Sequence, residues 1–169
     1  MAFKIGVENR DAPQKRSNVS AGLLMFRRRN HSLEFLLVHP GGPFWKNKDD
    51  GAWSVPKGEV QPDEEFLSRA QIEFDEEIGF KPRGDWFPIG SIKQKNGKTV
   101  HAWAFEGDLP EPFELKSNTC QLEWPPRSGK FIEIPEVDDA QFFPLEVARG
   151  KINPAQIPFL ERVSERLQK

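Results

Sequence analysis

Gly58-Glu-Val-Gln-Pro-Asp-Glu-Glu-Phe-Leu-Ser-Arg-Ala-Gln-Ile-Glu-Phe-Asp-Glu-Glu-Ile-Gly79-Phe80 is the stretch from which the fold and the chemistry of this chain can both be argued. Between Pro62 and Ile78, apolar residues fall at Phe66, Leu67, Ala70, Phe74 and Ile78. That recurrence predicts an amphipathic helix with one face against the core. Gly79 stands where a left-handed cap would end the helix. At about 100° per residue, Glu73, Glu76 and Glu77 share one side of it within a turn.

Acidic runs on helices are usually only solvated, but this one is placed where carboxylates are costly. Like charges at such spacing destabilise a helix by roughly 0.2–0.5 kcal/mol per pair. Negative charge near a helix C-terminus also opposes the macrodipole. A divalent cation would offset both effects. With no Cys/His set beside the carboxylates, the hard oxygen donors point to magnesium, manganese or calcium rather than zinc.

The stretch resembles the Nudix box, G-x5-E-x7-R-E-U-x-E-E-x-G-U, where U is a bulky aliphatic or aromatic residue. Gly58, Glu64, Glu73, Phe74, Glu76, Glu77, Gly79 and Phe80 all fall at the required spacing, and Trp53-Ser54-Val55-Pro56-Lys57-Gly58 resembles the run that leads into the box in many Nudix hydrolases. The departure is Ile72, which stands where the family has arginine. The resemblance implies an α/β fold, a Nudix α/β/α sandwich with a mixed sheet covered by helices. It also implies hydrolysis of a phosphoanhydride bond in a nucleoside diphosphate derivative, using Mg2+ or Mn2+. Carried over by position, Glu73, Glu76 and Glu77 are the catalytic and metal-ligating carboxylates, the Gly58 carbonyl completes the protein ligands, and Glu64 has a supporting role. The family arginine pairs with a neighbouring glutamate; here Arg69, four residues before Glu73 on the same side of the helix, is the candidate to supply that cation.

Composition narrows the remaining choices. A chain of 169 residues with 37% hydrophobic content suits one core of ordinary size, read as a domain over 19–169 after a poorly ordered arm over 1–18. A net charge of −2 argues against a long nucleic-acid partner, while a small nucleotide needs only a local basic patch. The single Cys120 fits a reducing compartment, and no apolar run is long enough to span a membrane, so a cytoplasmic location is expected. The oligomeric state is left open.

Elsewhere the pattern predicts a hairpin of 19–26 with 34–39, a long loop from Pro40 to Gly51, a short strand over 52–55, and Gly58 opening the loop before the helix. Strands over 86–92 and 100–105 are joined at Asn96-Gly97, a strong hairpin signal. An edge strand over 118–124, a strand over 140–143, a short helix over 145–149 ended by Gly150 and a final amphipathic helix complete the chain. Loops beyond about 12 residues are uncommon unless functional, which makes Trp45 a candidate to stack on a base. Lys57, beside the box glycine, and Arg127, in the loop over 125–130, are candidates to hold a phosphate. A further carboxylate acting as base from a distant loop has three candidates, Glu123, Glu133 and Glu136, and spacing does not choose among them. The reading is a metal-dependent hydrolase of a nucleoside triphosphate or dinucleoside polyphosphate. The alternatives are a Nudix-fold binding module without hydrolysis, motivated by Ile72, and a hydrolase of RNA 5′ ends.

Overall fold

The structure, a computed structural model, describes residues 18–169; nearly all of the expected N-terminal arm lies outside the described residues. Its centre is β1 (Val19–Arg29), which forms a hairpin with β2 (Ser32–Pro40) through Asn30 and His31, both at positive φ. Side chains alternate across β1. Ala21, Leu23 and Met25 enter one core and Leu24 and Phe26 the other, all at 2% exposure or less. A strand buried on both faces reads as a continuous apolar run, which is how 21–26 appears in the sequence.

β3 (Lys57–Glu59) pairs antiparallel with the start of β1. The helix α1 (Phe66–Ile78) follows, and after it come β4 (Phe87–Lys93) and β5 (Thr99–Glu106), the latter parallel to β1. β6 (Thr119–Glu123) and β7 (Phe131–Pro135) form a separate two-stranded sheet. β8 (Val137–Pro144) closes the main sheet, whose order is β4-β5-β1-β2-β8 with β3 on β1. The helices α2 (Leu145–Lys151) and α3 (Ile157–Leu167), with a 3-10 turn over Pro154–Gln156, cover the face opposite α1. The mixed sheet between helical layers is the architecture expected.

The helix α1 buries Ala70, Phe74 and Ile78, and Phe74 meets Phe105 edge-on at 5.6 Å. Truncating a fully buried phenylalanine to alanine costs about 3–5 kcal/mol, so this stripe holds the acidic face in place. Gly79 ends the helix at φ 76°, its N–H donating to the Asp75 carbonyl at 2.7 Å.

Several local expectations are corrected. Gly58 lies within β3, opposite Ala21, rather than opening a loop. Its φ is not positive; a Cβ there would strike the Glu73 carboxylate and push it from its place. Residues 52–55 form isolated bridges, Val38 with Ser54 and Trp53 with Ile152, instead of a strand. The segment 118–124 is not an edge of the main sheet, because β7, which the pattern did not separate from β8, pairs with it. Gly150 is inside α2, which runs to Lys151.

Candidate active site

One helix and one strand corner deliver three carboxylates to one place. The last turns of α1 bring Glu73 and Glu77, and the corner between β7 and β8 brings Glu136. One oxygen from each of the three lies within 4.8 Å of the others. The corner is fixed by its backbone: Gly41 N–H donates to the Glu136 carbonyl at 3.1 Å, and Glu136 N–H donates to Asn118 at 2.8 Å. Asn118 in turn donates to the Glu76 carbonyl at 2.9 Å, tying the corner to the helix end.

The electrostatics are unfavourable without a cation. Burial pushes the Glu77 carboxyl well above the usual carboxylate range, and Glu73 beside it pushes the same way against Lys57 and its backbone N–H. Burial also raises Glu73, with Arg69 opposing and Glu76 and Glu136 adding to the rise. Glu136 is raised by burial and by Glu76. Such mutual perturbation in a cleft marks a functional-site candidate. Oxygens sharing a magnesium ion at about 2.1 Å lie about 3.0 Å apart when adjacent and about 4.2 Å when opposite, so modest side-chain rotation would bring this donor set, within 4.8 Å of one another, onto one ion. Its all-oxygen chemistry fits magnesium or manganese.

The place of the missing arginine is filled from one turn earlier. Arg69 grips both oxygens of Glu64, with Nε at 3.1 and 2.9 Å and Nη2 at 2.6 Å, and its Nη1 donates to Glu73 Oε1 at 3.2 Å. Glu64 also accepts the Gln61 N–H at 2.8 Å, which anchors the pair to the turn before the helix. Ile72 is 42% exposed and takes no part.

A pocket of about 330 Å³ opens beside the carboxylates, lined by Glu77, Glu136, Lys57, Trp45, Gln94 and Asn96 among others. Two of the three candidate ligand-binding residues, Lys57 and Trp45, are therefore brought to the carboxylates. Burial lowers the Lys57 pKa, against the pull of Glu77. The third, Arg127, is not: it sits exposed at φ 61° in the β6–β7 turn, outside the pocket lining. Among the three distal carboxylates the geometry brings in Glu136. Glu133 is exposed on β7, and Glu123 turns to the Gly129 N–H at 3.5 Å. Glu76 is half-buried next to the cluster, outside the three-oxygen set but close enough to raise Glu73 and Glu136. Sequence reasoning missed Gln94, Asn96 and Gln156. The turn Gln94–Lys98 reads as an ordinary hairpin, and nothing in its pattern reports that the 3-10 turn packs against it.

A family model described as the NUDIX domain matches residues 16–163. Searching curated proteins gives no significant match. Among solved structures, a Caenorhabditis elegans Ap4A hydrolase in a binary complex is 22% identical over 88% of this chain and 98% of its own, with a TM-score of 0.63. The NUDIX domain of Shewanella oneidensis NrtR complexed with ADP ribose is 15% identical over 90% of each chain, with a TM-score of 0.62. A MutT protein from Methanosarcina mazei Go1 is 21% identical over 94% of this chain and 100% of its own, with a TM-score of 0.59. At these identities the likeness is one of fold.

Proposed function

The chain belongs to the Nudix family of pyrophosphohydrolases, and from that premise we propose that it is a metal-dependent hydrolase of a phosphoanhydride bond in a small nucleotide. The observation that carries the reading is the meeting of Glu73, Glu77 and Glu136, two of which, Glu77 and Glu136, line a pocket together with Lys57 and Trp45. The similar structures whose names state a nucleotide ligand or substrate, Ap4A and ADP ribose, support a substrate with a pyrophosphate link.

Glu73, Glu77 and Glu136 would hold a magnesium or manganese ion, with Glu76 and the Gly58 carbonyl as further ligands. When bound, such an ion neutralises charge on the pyrophosphate and acidifies a water. Glu136, raised by burial and by Glu76, is the distal carboxylate placed to accept a proton from the attacking water. Lys57 holds a phosphate as a point charge, and half-buried Trp45 offers a ring face to the base. Arg69 fixes the Glu73 carboxylate from behind. The non-hydrolytic alternative rests on Ile72; Arg69, 3.2 Å from Glu73, supports the hydrolytic reading over it. The free thiol of Cys120 accords with a cytoplasmic setting.

The test is a nucleotide panel with product identification, in magnesium and in manganese. The expected result is cleavage of a phosphoanhydride bond that needs the metal and falls at least about 1,000-fold in Glu73→Gln or Glu77→Gln. Turnover of no member, or turnover indifferent to both substitutions, would overturn the proposal.

A further inference from the structure

The pocket beside the carboxylates has a second polar wall that the hydrolytic machinery does not use. Gln156, fully buried in the 3-10 turn, accepts the Val55 N–H on its Oε1 at 3.0 Å. A backbone N–H can only donate, so the orientation of this amide is fixed. Its Nε2 then donates to Ser54 Oγ at 3.0 Å and to Gln94 Oε1 at 2.9 Å. That second bond fixes the next amide in the chain: the Gln94 oxygen is taken, and its NH2 is the end left over. Gln94 is only 9% exposed and lines the pocket, and its Nε2 has no partner among the described residues. Two residues on, Asn96 repeats the arrangement, its Oδ1 accepting the Lys98 N–H at 3.0 Å and its NH2 remaining. Asn96 lines the same pocket.

With its oxygen taken, Gln94 offers this wall only its NH2 donor, and exposed Asn96 offers a second at its rim; two donors facing one pocket describe what a ligand must bring. We infer that this wall is a base-reading subsite selecting nucleotides with an oxo group on the base edge, such as guanine, hypoxanthine or uracil, over the amino-substituted adenine and cytosine. The inference rests on the hydrolase reading for the position of the phosphates and adds the base to it. Guanine presents O6 and N7, both acceptors, and thymine or uracil presents O4, whereas adenine N6 and cytosine N4 are donors. An exocyclic amine would therefore face a donor that cannot turn over, because rotating Gln94 would set its NH2 against that of Gln156. Trp45, which also lines the pocket, supplies a stacking face that every base can use and that carries no discrimination.

Inosine and adenosine nucleotides differ at this edge with little change of shape, so they make the comparison. The expected kcat/KM for ITP exceeds that for ATP by about 10- to 100-fold, with GTP and UTP on the side of ITP and CTP on the side of ATP. Gln94→Met should flatten the ratio toward one, and Gln94→Glu, which replaces the donor with an acceptor, should lower it further. Binding of IMP and AMP, read by tryptophan fluorescence, gives the same comparison without turnover. Hydrolysis with no base preference, a preference for ATP, or a preference unchanged in Gln94→Met would overturn this inference and leave the hydrolase reading intact. Selective binding of IMP with no nucleotide turned over would overturn the hydrolase reading and leave the subsite. Neither binding nor turnover would overturn both.

Discussion

At the scale of single residues, the informative one is Arg69. Its guanidinium spans Glu64 and Glu73, and Glu64 is held well ionised mainly by that hydrogen bonding. Partners that orient metal-ligating side chains typically cost about 10–100-fold in activity or metal affinity when removed. Arg69→Ala should lower kcat by that much and weaken activation by magnesium, measured by steady-state kinetics across metal concentrations. Arg69→Lys should recover little, since a point charge cannot fork two carboxylates. Ile72→Arg alone should change turnover less than about twofold, because both glutamates already have their cation, whereas in the Arg69→Ala background it should restore a measurable fraction. The spacing of Arg69 to Glu73 was legible in the sequence, since four residues on a helix is a contact distance. The grip on Glu64 was not, because it depends on how the turn over 61–64 folds back on the helix.

At the scale of elements, the site depends on where α1 stops and where the loop over 41–51 is tied down. Gly79 at φ 76° is closed in by Lys116, whose Cβ and carbonyl a side chain at 79 would strike. Gly79→Ala should therefore cost more than the roughly 1–2 kcal/mol of left-handed strain alone, seen as a lowered denaturant midpoint, and should loosen Glu76 and Glu77. The loop is tied through His39 at the end of β2. Its Nδ1 lies 2.7 Å from Asp138 and its Nε2 2.6 Å from the Lys48 carbonyl. Burial pulls the His39 pKa down, but the Lys48 carbonyl and Asp138, with Asp139 beyond, outweigh it and leave the pKa raised above its ordinary 6.5. A raised histidine contributes stability fully present below the unfolded pKa and lost as pH rises through the folded one. The stability advantage of the wild type over His39→Gln should thus be full below about pH 6.5 and shrink as pH rises above it, read in urea melts. Neither tie was legible from pattern: Gly79 and the hairpin partners announce themselves locally, but the acceptors on His39 come from residues 48 and 138.

At the scale of the whole molecule, the sheet brings together segments far apart in sequence and leaves their charges unbalanced at one spot. The elements that do so were readable: the apolar run of β1, the stripe of α1 and the Asn96-Gly97 turn each fix a layer. What pattern could not select was Glu136 over Glu123 and Glu133. That choice is made by the β7–β8 corner, which exists because β7 pairs away from the main sheet. Holding raised carboxylates at Glu73, Glu77 and Glu136 costs the folded state stability unless something binds. A ligand that binds only the native state at about 100 times its Kd adds about 2.7 kcal/mol. For a domain of this size each kcal/mol corresponds to roughly 2–4 °C, so saturating magnesium should raise the Tm of chelator-treated protein by about 5–10 °C. Glu77→Gln separates repulsion from ligation. A neutral amide relieves the crowding, so the metal-free variant should melt above the metal-free wild type, while the rise on adding magnesium should nearly vanish. A variant that melts lower without metal would mean that Glu77 is held by favourable contacts rather than against repulsion. One that keeps the full magnesium shift would remove Glu77 from the proposed metal site.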